Sequence, residues 1–185
     1  MANTKFTDIN ITTSVAGFLA NKLTESGWEV FWQARDVSSG IATQGSVTIV
    51  PEFPREPGLL VLPPRARSSS EILVPAFSVQ IMEEPFEENR AGLGEDLFQH
   101  RTAVVIDGYV ADQAQHLAFA TMFRNWFRQD TRIPIYDFES NPVTPQLVDD
   151  DVRVENRKTD RLELPDLPDP VRYYINMQVD LVFFD

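Results

Sequence analysis

Acidic side chains are the residues of this chain that could most directly carry chemistry. Asp149, Asp150 and Asp151 are consecutive in VDDDV, and Asp107 lies within the apolar stretch RTAVVIDGYV. Clustered carboxylates bind Mg²⁺ or Ca²⁺, and two of them can act as a general acid and base. Their spacing matches no EF-hand loop, and a run of three is expected as a solvated turn in a chain with 28 acidic residues. We therefore predict no metal site and keep a carboxylate or metal enzyme as a minor alternative.

Nucleophilic catalysis has little support in the residue types present. The chain has no cysteine and two histidines, His100 and His116. A hydrolytic triad places a histidine beside a nucleophile, but the sequence contains no G-x-S-x-G elbow, and Ser14, Ser26 and Ser78 stand in no supporting motif. We interpret His100, at the start of a strand, and His116, on a helix, as surface or boundary residues. We predict no catalytic residue.

Phosphate-binding loops are also missing from the sequence. It contains neither G-x-x-x-x-G-K-[ST] nor G-x-G-x-x-G. The nearest segment is AGLGED, Ala91–Asp96, which is too short and is not followed by an apolar helix. We interpret it as a turn and predict no cofactor.

The charge of the chain argues against binding to free DNA. The formal net charge is −12, and non-specific binding needs many Lys and Arg side chains facing phosphates. The one basic candidate is PPRARSSS, Pro63–Ser70, which we interpret as a flexible loop. The polar N-terminus MANTKFTDIN shows no signal-peptide pattern, and no apolar stretch approaches the roughly 20 residues of a membrane-spanning helix. We expect a soluble protein that is made in the cytoplasm.

Two amphipathic helices are predicted. The first, within INITTSVAGFLANKLTESGW, has Asn10 or a nearby threonine as its N-cap and Gly27 at its C-terminal end. Its apolar face holds Ile11, Val15, Phe18, Leu19 and Leu23. The second follows Asp112 as a candidate N-cap, with Arg124, Asn125 and Arg128 away from the core. Its apolar stripe holds Phe119, Met122, Phe123, Trp126 and Phe127.

Alternating apolar residues predict several strands. The early ones are WEVFWQA, with Trp28, Val30 and Trp32 on one side, and Val47–Val50. EILVPAFSVQIMEE is a third, and its Pro75 indicates an edge position or a bulge. Further strands are RTAVVIDGYV and a segment around Val152 and Val154, whereas TRIPIYDFESNP turns the chain back.

The last strand, YYINMQVDLVFFD, has the clearest alternation in the chain. One face holds Tyr173, Ile175, Met177, Val179, Leu181 and Phe183. The other holds Tyr174, Asn176, Gln178 and Asp180. One face should pack on helices, and the other should face water, a lumen or a neighbouring molecule.

These elements together predict one α+β domain over residues 1–185. A mixed, mostly antiparallel sheet carries the two main helices on one face. The Pro- and Ser-rich stretch 54–70 is a protruding loop, in which Leu59–Leu62 is either a short strand or an apolar tip that docks on a partner. Asp107, next to Gly108, has no evident partner residue, so we interpret the stretch Arg101–Asp130 as scaffold.

The order of elements resembles that of the tail-terminator or tail-completion proteins of tailed bacteriophages. The resemblance is carried by HRTAVVIDGYVADQAQHLAFATMFRNWF, then IPIYDFES, the strand with Val152 and Val154, and VRYYINMQVDLVFFD. The N-terminal helix DINITTSVAGFLANKL agrees with the arrangement. The resemblance covers about two thirds of the chain in order and spacing and contains no invariant motif, so it is an analogy of architecture.

The resemblance implies a non-enzymatic ring, usually hexameric, at the head-proximal end of the tail within the virion. Such a ring stops polymerisation of the tail tube, meets the last sheath ring in contractile phages and joins the tail to the neck or head–tail connector. Viral DNA passes through its lumen without sequence-specific binding, and no membrane is involved. We expect contacts through the second face of the last strand and the loop 54–70.

Two further alternatives stay open besides the enzyme. The chain could be another neck, head–tail joining or tail-tube subunit, in which case a tube subunit would form long polymers alone. It could also be a small acidic binding module, which would stay monomeric and expose one dominant apolar patch.

Overall fold

A computed structural model of the 185-residue chain describes residues 6–34, 37–39, 47–50, 74–82, 89–90, 98–163 and 173–184. The loop 54–70, with Leu59–Leu62 and Pro63–Ser70, and the turn Ala91–Asp96 lie outside the described residues.

Helix α1 spans Asp8–Glu25 and begins one residue before the predicted stretch, with the threonine alternative as its cap. Its N-cap is Thr7, whose side chain accepts a hydrogen bond from the amide of Asn10. Ser26 is the C-cap, and Gly27 follows with φ +87°, a conformation that glycine adopts without strain. Asn10 is therefore not the cap but a buried residue of the first turn.

Helix α2 spans Gln113–Trp126, and the prediction of Asp112 as its N-cap is confirmed. The Asp112 carboxylate accepts a hydrogen bond from the amide of Gln115 at 2.8 Å. The predicted apolar stripe faces the core, where Phe119, Phe123 and Phe127 are fully buried.

The described residues contain ten strands, which form two sheets. Their bounds are β1 Val30–Ala34, β2 Val37–Ser39, β3 Val47–Val50, β4 Ala76–Ile81, β5 Asn89–Arg90, β6 Phe98–Val110, β7 Ile135–Asp137, β8 Gln146–Asp149, β9 Arg153–Glu163 and β10 Tyr173–Phe184. The large sheet has the order β2-β1-β3-β4-β6-β10-β9, with β5 paired to β6, and β7 and β8 form a small sheet of their own. The pairs β1–β3 and β3–β4 are parallel, and the other pairs are antiparallel.

One face of the large sheet carries the core. Helix α1 lies against β1, β3 and β4, and α2 lies against β6, β10 and β9. Phe18 of α1 and Phe127, the residue after α2, have their rings 5.4 Å apart. A single cluster of buried side chains runs through both helices and the sheet. The predicted α+β class, with a mixed and mostly antiparallel sheet, is confirmed.

Three local predictions are corrected. Pro75 marks neither an edge strand nor a bulge, because it precedes β4, which lies between β3 and β6. Trp28 lies before β1 and packs its ring 4.8 Å from that of Phe119. The segment TRIPIYDFESNP is more than a turn, since it contains β7, the first strand of the small sheet.

Candidate functional site: the polar face of the large sheet

The face of the large sheet opposite the helices is polar and half-exposed at its centre. The register places Asp107 on β6 opposite Ser78 on β4 and Asn176 on β10. In the adjacent row, Tyr109 lies opposite Tyr174. Because side chains alternate between the faces of a strand, these residues share the face that α1 and α2 leave uncovered. Ser78 is fully buried there, whereas Asp107, Tyr109, Tyr174 and Asn176 are partly exposed. We call this surface the polar sheet face.

A hydrogen-bond network links β6 and β10 on this face. The Tyr174 hydroxyl donates to the Asp107 carboxylate, and Asn176 Nδ2 donates to the same Oδ1 atom at 2.7 Å. The rings of Tyr109 and Tyr174 are 5.3 Å apart. Sequence reasoning found no partner for Asp107, and the structure corrects this, because the partners lie 67 and 69 positions further along the chain.

Burial and the neighbouring carboxylate keep the two tyrosines protonated. The pKa of Tyr174 is raised well above its usual range, first by burial and then by the hydrogen bond to Asp107. The pKa of Tyr109 is also raised, by burial and by the negative charge of Asp107. Both phenols therefore keep their protons and can act as hydrogen-bond donors.

Further polar groups continue the face towards β4 and β9. Gln80 donates from Nε2 to the Ser78 hydroxyl at 3.4 Å, and Gln178 donates from Nε2 to Asp180 at 3.2 Å. On β9, Lys158 and Asp160 form an ion pair of 3.2 Å. An extended face of amides, carboxylates and phenols can form many hydrogen bonds to a macromolecular partner.

The outer edge of β9 is covered along only part of its length by described residues. The chain segment after α2 pairs with its beginning, where the amides of Asp130 and Ile133 donate to the carbonyls of Val154 and Val152 at 2.8 Å each. The next residues, 155–158, are exposed. A strand edge in this position can accept a further strand from a neighbouring molecule.

The small sheet is fastened to α1 by two buried polar side chains. Ser14 Oγ accepts from the amide of Tyr136 at 2.9 Å, and Asn10 Oδ1 accepts from the amides of Phe138 and Glu139 at 2.8 and 3.2 Å. These bonds satisfy the strand edge that β7 turns towards the helix. Ser14 therefore has a structural role rather than that of a nucleophile.

In the run of three aspartates, Asp149–Asp151, the carboxylate of Asp151 is paired with arginines. Asp151 forms ion pairs with Arg153 at 2.7 Å and Arg132 at 3.0 Å. The hydrogen bond from Arg153, followed by the charge of Arg132, holds the pKa of Asp151 below its usual range. Asp149 accepts from the amide of Asp151 at 2.7 Å. Asp107 belongs to the separate Tyr174 network, and the described residues contain no group of three His, Asp or Glu side chains placed to hold a metal ion.

Both histidines are buried, so the prediction that they lie at the surface or boundary is wrong. His100 stacks on Phe183 with ring centroids 5.3 Å apart. His116 stacks on Tyr173, and its Nε2 atom lies 3.2 Å from the carbonyl oxygen of Tyr174. Their surroundings are those of packing residues, and no serine lies among these contacts.

The remaining serines also have local roles. Ser26 is the residue at which α1 ends, and its amide bonds to carbonyls of the last turn. Ser78 is fully buried and accepts the bond from Gln80.

The protein-family models that were scanned give no match to the chain, and the search of curated proteins gives no match either. Neither α1 nor α2, the helices of the described residues, is long and apolar enough to cross a membrane. The site therefore has to be interpreted from its own geometry.

Proposed function

We propose that this protein is a structural subunit that forms a homo-oligomeric, hexameric ring at the head-proximal end of a phage tail. There it ends polymerisation of the tube or sheath and joins the tail to the neck and connector. The observation that best supports the proposal is the polar sheet face together with the partly covered edge of β9. These two features give the chain a broad hydrogen-bonding surface for neighbours, and the core of the described residues lies on the opposite face.

The geometry of a closed ring requires two different complementary surfaces on each copy. Head-to-tail contacts of this kind join unlike patches of neighbouring subunits. The chain offers unlike patches: the polar sheet face, and a surface around the small sheet where Val143 and Leu147 are 77% and 52% exposed. The polar sheet face would then form hydrogen bonds that align neighbouring subunits, and the apolar surface would add buried contact area.

The charge of the chain is compatible with passage of DNA through such a ring. The net charge of −12 would keep phosphates from adhering to the wall, because phosphate binding requires Lys and Arg contacts.

The test is the mass and shape of the purified chain. Light scattering over a range of concentrations, with negative-stain images, should show a discrete ring with a central hole. The ring added to growing tail tubes should fix their length. Long tubes formed by the chain alone would instead indicate a tube subunit, and a monomer that neither assembles alone nor binds tube ends would contradict the proposal.

A matched pair of variants tests the polar sheet face. Gln178→Arg places a long cation in the middle of that face, opposite Val105, whereas Gln129→Arg makes the same change at an exposed position after α2. Gln178→Arg should prevent ring formation while the far-ultraviolet circular dichroism stays unchanged, and Gln129→Arg should assemble normally. Normal assembly of both variants would exclude the polar sheet face from the contact.

A further inference from the structure

An open groove lies between α1 and the small sheet. It has a volume of about 300 Å³ and is lined mainly by aromatic, proline and valine side chains. Phe18 forms one wall, Tyr136 and Phe138 form the other, and Val143 stands at its rim. Val143 is 77% exposed in the folded chain, so its side chain is accessible to another molecule.

Two polar groups in the groove have no hydrogen-bond partner among the described residues. They are the hydroxyl of Tyr136 and the side-chain amide of Asn21, whereas Ser14 in the same lining already accepts from a backbone amide. Both unused groups can donate to a carbonyl oxygen. The groove therefore presents aromatic and proline surfaces together with donors, the combination that binds an extended peptide.

Proline-rich peptides fit this combination. A polyproline II segment has no internal hydrogen bonds, so its carbonyls are free to accept from groove side chains. Its prolines and apolar side chains pack on aromatic rings. The sequence of the chain itself contains a proline-rich stretch, PREPGLLVLPPRAR, residues 54–67, in which Pro54 and Pro57 have the P-x-x-P spacing.

We propose that the groove binds the segment 54–67 of a second copy of this chain. The charges are complementary: the segment carries Arg55, Arg65 and Arg67 against a single Glu56, within a chain of net charge −12. Glu139, directly after the groove residue Phe138, is exposed and provides a carboxylate for one of these arginines. The inference rests on the self-association in the proposed function and specifies one of its contacts.

Engineered disulfides test the contact, because the chain has no cysteine. Two full-length single variants, Val143→Cys and Leu60→Cys, are mixed and gently oxidised. The control mixture pairs Leu60→Cys with Leu117→Cys, whose position on α2 is 46% exposed and outside the groove. Because binding raises the effective concentration of the two thiols, the groove pair should give about tenfold more heterodimer than the control.

The yields separate the possible outcomes. Equal yields from the two mixtures would overturn the proposal. So would rapid internal cross-linking of the double variant Leu60→Cys/Val143→Cys at high dilution, since the segment would then occupy the groove of its own chain. Excess synthetic peptide of residues 54–67 should suppress the heterodimer, and no suppression would also count against the groove.

The disulfide experiment and the ring assay can fail independently of each other. A specific heterodimer without a closed ring in light scattering would support the groove and contradict the ring. A closed ring without a specific heterodimer would support the ring and overturn the groove contact.

Discussion

The hydroxyl of Tyr174 donates a hydrogen bond to the carboxylate of Asp107 on the neighbouring strand. The bond is diagonal, since Tyr174 lies opposite Tyr109 and Asp107 lies opposite Asn176. A hydrogen bond to an ionised group is stronger than one between neutral groups. It ties two rows of the polar sheet face together and fixes the positions of both side chains.

The first prediction concerns stability at alkaline pH. The pKa of Tyr174 is raised by burial and by Asp107, so the folded state favours the protonated hydroxyl. Its contribution is complete below the pKa of an unfolded tyrosine, about 10, and is lost as the pH rises through the higher folded pKa. Tyr174→Phe should lower the free energy of unfolding by about 1 kcal/mol near neutral pH, and the difference from the unmodified chain should shrink above about pH 10.

Urea denaturation at several pH values measures this effect. Tyr136→Phe is the matched control, because its hydroxyl has no hydrogen-bond partner among the described residues. A difference between Tyr174→Phe and the unmodified chain that is constant across the pH range would contradict the argument.

The second prediction concerns the attachment of the small sheet. Asn10→Ala removes the acceptor of the Phe138 and Glu139 amides and should destabilise the chain by about 2–3 kcal/mol, since buried donors lose their partners. Ser14→Ala removes one acceptor and should cost about half as much. Asn21→Ala, at an exposed position of the same helix, should be nearly neutral in thermal denaturation. Equal effects of all three substitutions would disprove the role of the two buried side chains.

The third prediction is that replacing glycine by alanine changes the stability of the chain in opposite directions at Gly108 and Gly17. A methyl group at Gly108 would overlap the ring of Phe77, which is fully buried. Gly108→Ala should therefore destabilise the chain by about 1–3 kcal/mol. At Gly17, inside α1, an added Cβ meets nothing within 4 Å, so Gly17→Ala should stabilise the chain by about 0.5–1 kcal/mol. Calorimetry measures both melting temperatures. If the two variants shift in the same direction, the close approach of Phe77 to Gly108 is refuted.

The fourth prediction concerns the start of α2. Asp112→Ala removes the side chain that accepts from the Gln115 amide and should lower the free energy of unfolding by about 1 kcal/mol. Asp112→Asn keeps an acceptor oxygen at the same place and should retain most of the stability. Chemical denaturation of the two variants would separate the cap from a general effect of lost charge, which would make them equally unstable.

The elements that the sequence predicted well are those with a sustained local period. β10 alternates from Tyr173 to Leu181, and its buried residues Ile175, Met177 and Val179 are those of the predicted inner face. The stripe of α2 was equally clear, because Phe119, Phe123 and Phe127 repeat at helical spacing. Local patterns of this type do not depend on which strands pair.

The features that the sequence did not show depend on contacts between segments far apart along the chain. β7 and β8 are too short to display a period, and their attachment comes from Ser14 and Asn10, more than 120 positions away. The partners of Asp107 became visible only when β6 and β10 were paired. The alternating polar residues of the last strand, Tyr174 and Asn176 among them, were the one available signal for that network.

The edge of β9, which the described residues cover along only part of its length, has a consequence for the solubility of the chain. Its exposed continuation includes Glu155, Arg157 and Lys158, and charges of mixed sign on an open strand oppose indiscriminate stacking into fibrils. We therefore expect the purified chain to stay in solution at high concentration. Neutralising these charges should shorten the shelf life of the purified protein before it alters the fold.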